Sequence, residues 1–112
     1  MLRLTVVILA LAPGLARADA AAMCEARPGT SDSQCACATD ALRADVGAEA
    51  LALYDAVADE AASARAGGIR RREAWDEGIV AVATSRGVGI TDLLNRMNSV
   101  GRAHRVAIDG CA

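Results

Sequence analysis

A chain of 112 residues with a formal net charge of −2 has the length of a single domain. All twelve basic residues are Arg, and the slight acidic excess makes nucleic acid a poor partner. Phe is absent, and Trp75 and Tyr54 are the only aromatics, so the stacking platforms that sugars and single strands need are scarce.

The first residues read as a secretory leader. Arg3 supplies an early positive charge, and Leu4 to Ala12 is apolar apart from Thr5. Pro13 and Gly14 end that run, and Ala16-Arg17-Ala18 and Ala18-Asp19-Ala20 are two small-x-small cleavage sites. The apolar run is about half of the roughly 20 residues that span a bilayer, so cleavage is expected rather than anchoring. Residues 1–20 are therefore assigned to a signal peptide and 21–112 to one helical domain. Lipidation of Cys24 is disfavoured because Met23 is too large for the position before it. A cut after Ala18 removes Arg3 and Arg17 and leaves 10 Arg against 14 acids, a charge of −4. The expected location is the periplasm or outside the cell, with no stable membrane anchor after cleavage.

Residues 21–31 read as an irregular arm ending in Pro28-Gly29-Thr30. Ser31 and Gln34 then have the spacing of a capping box, which starts a helix over about 32–46. Cys35, Ala38, Leu42 and Val46 share one face of it. Gly47 interrupts, and a second helix is expected over 48–66 with Leu51, Tyr54, Val57, Ala58 and Ala61 inward. Gly67-Gly68 stops it. A third helix covers 71–86, with Trp75, Ile79, Val82 and Ala83 inward and Gly87 at its end. Thr91 is the expected N-cap of a fourth helix over 91–108. Leu94, Met97, Gly101, His104 and Ile108 lie along its inner side. Alternating β-branched runs are missing, so the fold class is all-α: a small disulfide-stapled bundle of three to four short antiparallel helices after a cleaved signal peptide.

Four cysteines in an exported chain point to two disulfides. Cys35 and Cys37 are two residues apart and point about 200° away from each other on a helix, so they do not pair. Cys35 faces inward with Leu42, and Cys111 extends the inner side of the last helix. The favoured pairs are thus Cys35–Cys111 and Cys24–Cys37, with Cys24–Cys35 and Cys37–Cys111 as the alternative. The competing chemistry is a Cys-x-Cys copper or zinc carrier using Cys35, Cys37 and His104, or a thiol-redox pair. The layout resembles the twin Cys-x9-Cys helical hairpins only as a cysteine-stapled helical design. Ten residues separate Cys24 from Cys35, and Cys111 stands alone, so no family property is carried over.

No catalytic motif is visible, and no enzyme activity or cofactor is expected. His104 is the only histidine, placed on an apolar helix side without a marked nucleophile, and reads as a core residue. Arg70-Arg71-Arg72 reads as a solvated helix start, or as an anion contact. Asp55, Asp59 and Glu60 read as a solvated face, because the loop spacing of calcium sites is absent. Trp75 and Tyr54 read as core residues in contact. The expectation is a non-catalytic exported protein that binds another protein or a small ligand.

Overall fold

The computed structural model describes residues 18–112. Among these residues five helices follow one another: α1 (Ala20–Glu25), α2 (Asp32–Val46), α3 (Ala48–Ala66), α4 (Arg71–Arg86) and α5 (Ile90–Gly110). No strand occurs among the described residues. The leader assigned to 1–20 lies outside the described residues up to position 17, and Ala18 to Ala20 belong to the folded part.

The helix α1 corrects the expectation of an irregular arm over 21–31. Asp19 accepts the Ala22 N–H at 3.0 Å and so caps a short Ala-rich turn. Ala20 and Cys24, four residues apart, form its buried edge. The chain turns over Pro28-Gly29, and the Thr30 hydroxyl lies 2.8 Å from the Cys24 carbonyl and 2.9 Å from that of Arg27. Ser31 caps α2 as expected, accepting the Gln34 N–H at 3.1 Å. The Gln34 side chain does not complete the box. Its Nε2 donates to the Ile108 carbonyl at 2.9 Å instead, tying the start of α2 to the end of α5.

Gly47 joins α2 directly to α3 with φ +90°, a conformation that costs glycine little and other residues much. Helices α3 and α4 form the most extensive contact of the fold, and α2 with α5 the next. The α3–α4 contact depends on Gly78. A Cβ there would sit 2.7 Å from the Val57 carbonyl oxygen and 3.2 Å from the Ala61 nitrogen, so only hydrogen fits between the helices. The main core holds Leu42, Leu51, Tyr54, Val57, Ile79, Leu93, Met97 and Val100. Full burial of each large aliphatic side chain stabilises by about 1.5–3 kcal/mol relative to exposure.

The start of α5 differs from expectation. Gly89 precedes the first turn, no side chain caps it, and Thr91 is exposed. Leu93, rather than Leu94, faces the core together with Met97, Val100, His104 and Ile108. A satellite cluster of Cys24, Cys35, Ala38 and Ile108 closes the other end of the fold around the disulfides.

Candidate functional site

The cysteines pair as Cys24–Cys35 and Cys37–Cys111, with Cα separations of 5.5 and 6.0 Å. This overturns the favoured Cys35–Cys111 and Cys24–Cys37. The physical reason is helix α1. Its inner edge presents Cys24 to the inward face of α2, where Cys35 sits, and both residues are fully buried. Cys37, on the far side of α2, is exposed and reaches the half-buried Cys111 that caps α5.

No free cysteine remains among the described residues. Cys35 and Cys37 are spent in separate bridges, so the Cys-x-Cys element has no thiolate to offer a soft ion or an exchange partner. The structure does not bring Cys35, Cys37 and His104 together as ligands: among the described residues, no group of three or more His, Cys, Asp and Glu is placed to hold a metal ion.

His104 is 3% exposed and packs edge-on against Tyr54, with ring centroids 5.6 Å apart. Its Nδ1 lies 3.1 Å from the Tyr54 hydroxyl, and its Nε2 is buried without a partner among the described residues. Trp75 meets the other side of Tyr54 edge-on at 5.7 Å, as the expected contact between the two aromatics. The three rings cross the fold from α4 through α3 to α5. Burial disfavours the charged imidazolium, and among the described residues the Tyr54 hydroxyl is the one side-chain partner of His104, with no serine, threonine or carboxylate bonded to it.

Burial pushes the His104 pKa below 6.5, and the Arg27 guanidinium pushes the same way. Burial raises Tyr54 from 10.0 to about 12, with Arg105 opposing and Asp55 adding to the shift. The signs give a plateau with two edges. Neutral His104 contributes fully above its unfolded value of 6.5, and that contribution is lost as pH falls through 6.5 toward the lower folded value. The neutral Tyr54 contributes fully below 10.0, and its share is lost between 10.0 and about 12. At about 1.4 kcal/mol per pKa unit, the alkaline edge is worth roughly 2–3 kcal/mol. Urea unfolding at pH 5, 8 and 11 is expected to give the highest midpoint at pH 8, and Tyr54→Phe is expected to flatten the alkaline side. An alkaline loss of unchanged size in Tyr54→Phe would contradict this assignment.

Two open grooves flank α3. One, of about 850 Å³, is walled by Asp19, Asp55 and Asp59, with Arg86 at one side. Asp55 accepts the Ala20 N–H at 2.8 Å. Burial raises its carboxyl pKa, the Ala20 hydrogen bond opposes this, Asp19 adds to it and Arg43 opposes it. The second groove, of about 750 Å³, lies between α1, α3 and α4. Alanines of α3 and the side chains of Met23, Pro28 and Trp75 line it, with Arg27, Arg65 and Arg71 around them.

Trp75 is therefore half-buried at a groove wall rather than wholly in the core. Of the Arg70-Arg71-Arg72 run, only Arg71 reaches this groove. Sequence reasoning did not single out Arg27 or Arg65. The available signal was weak: Arg65 follows Ala58, Ala61 and Ala62 along one side of α3, and small residues leave an adjacent space unfilled.

Compared with known proteins, the chain matches no family model, and neither a curated protein nor a solved structure is similar to it.

Proposed function

We propose that this chain is an exported, non-catalytic binding module, freed from its leader in the periplasm or outside the cell. The observation that carries the reading is that all four cysteines are closed into two disulfides. Such bridges persist where the surroundings are oxidising. No helix among the described residues is long and apolar enough to cross a membrane.

The fold also favours one of the two cleavage sites. Asp19 and Ala20 both take part in it: Asp19 caps α1, and Ala20 is fully buried with its N–H on Asp55. A cut after Ala20 would remove the cap, worth about 1 kcal/mol, along with a core residue. A cut after Ala18 keeps both.

An intact mass of the chain recovered from the exported compartment, without reductant, tests this. The expected product starts at Asp19 and carries two disulfides. Uncut chain with free thiols, retained inside the cell, would overturn the export reading. A disulfide-bonded product starting at Ala21 would overturn the cleavage position alone.

A further inference from the structure

The two grooves beside α3 carry opposite charge. In a chain of net charge −2, the groove bearing Trp75 has Arg27, Arg65 and Arg71 in its lining and no acid. None of these arginines takes part in an ion pair among the described residues. The neighbouring groove collects Asp19, Asp55 and Asp59 against one arginine, Arg86, and so carries the opposite net charge. The two grooves meet along α3, where both are lined by Ala62.

The walls between the arginines are apolar. Ala58, Ala61 and Ala62 lie at helical spacing on α3 and fill little space, while Met23 and Trp75 bound the groove from α1 and α4. A volume of about 750 Å³ falls within the range of small-molecule sites. Guanidinium groups bind carboxylates through paired N–H donors, and the indole face packs against alkyl chains. Trp75 is also held in place from behind, because its ring meets Tyr54 edge-on inside the core.

We propose that this groove binds a soluble medium-chain carboxylate, its alkyl chain against Trp75 and the α3 alanines and its head on the arginines. The proposal rests on the binding-module reading and gives it a ligand class. An anionic head satisfies charges that the fold leaves unpaired, and an alkyl chain covers an apolar floor that no side chain of α3 fills. A cationic amphiphile meets the same floor but three like charges at its head.

Trp75 is the sole tryptophan, so its emission reports directly on the groove. The test titrates the full disulfide-bonded chain with dodecanoate below its micelle concentration. Dodecyltrimethylammonium and vesicles of anionic phospholipid serve as the comparison ligands. The expected result is a saturable change in Trp75 emission with dodecanoate and at least tenfold weaker binding of the cation. Arg65→Gln combined with Arg71→Gln, two exposed positions, is expected to weaken dodecanoate at least tenfold while helix content and both disulfides are retained. No saturable change, equal affinity for the two head groups, or a response to vesicles alone would overturn the proposal. The outcome is separable from the export reading: an exported, correctly cleaved chain that ignores dodecanoate loses only the ligand. A chain that binds dodecanoate but is never exported loses only the compartment.

Discussion

Replacing Cys37 and Cys111 together with serine is expected to lower stability by about 4 kcal/mol at 25 °C. The bridge spans 74 residues and ties α2 to the end of α5. Closing a loop of that length removes about 4.5 kcal/mol of chain entropy from the unfolded state in the polymer estimate. Both residues are at least partly exposed, so serine adds no buried hydroxyl of consequence. Whole domains of this size are stable by about 5–15 kcal/mol, so the loss is a large fraction of the total. It corresponds to a fall in melting temperature on the order of 20 °C. The Cys24–Cys35 bridge spans only 11 residues, for about 2.8 kcal/mol. Urea unfolding of the two paired variants, with alanine at the buried Cys24 and Cys35, measures both. A loss under about 1 kcal/mol for Cys37→Ser with Cys111→Ser would show that the long closure is not a main source of stability.

Gly78→Ala is expected to cost about 3 kcal/mol, although it adds one methyl group and improves helix propensity by about 1 kcal/mol. The added Cβ would meet the Val57 carbonyl oxygen at 2.7 Å and the Ala61 nitrogen at 3.2 Å. Both are backbone atoms inside a regular helix, so neither can swing aside. The α3–α4 pair must separate, and it is the largest contact of the fold. Separation loosens Ile79 and Val57, two of the largest fully buried side chains. Chemical unfolding of Gly78→Ala reads the cost directly. A variant as stable as the parent would mean that α3 and α4 slide past each other without loss.

Helices α2, α3 and α4 were legible because the glycines at 47, 67, 68 and 87 punctuate them and their apolar residues repeat at helical spacing. Ser31 announced its own cap. The short α1 was not legible, since six residues carry too little pattern and Ala21-Ala22-Met23 continues an Ala-rich leader. The disulfide pairing depends on α1. Helical spacing places Cys35 inward, but its partner Cys24 lies on α1, whose six residues carry no helical pattern. Gly78 gave no signal of its own, because a close helix approach depends on what stands opposite. His104 was placed on the inner side of α5 from spacing alone, whereas its bond to Tyr54, 50 residues away, needs the fold. The Trp75 groove depends on three segments meeting, and charge segregation across α3 appears only once they do.

The most direct test of this account is a peptide map, without reductant, of the protein recovered from the exported compartment. The expected map contains Cys24 linked to Cys35 and Cys37 linked to Cys111, with no alkylatable thiol. Cys35 linked to Cys111, or free thiols at Cys35 and Cys37, would contradict the packing of α1 on α2 and the oxidised module built on it.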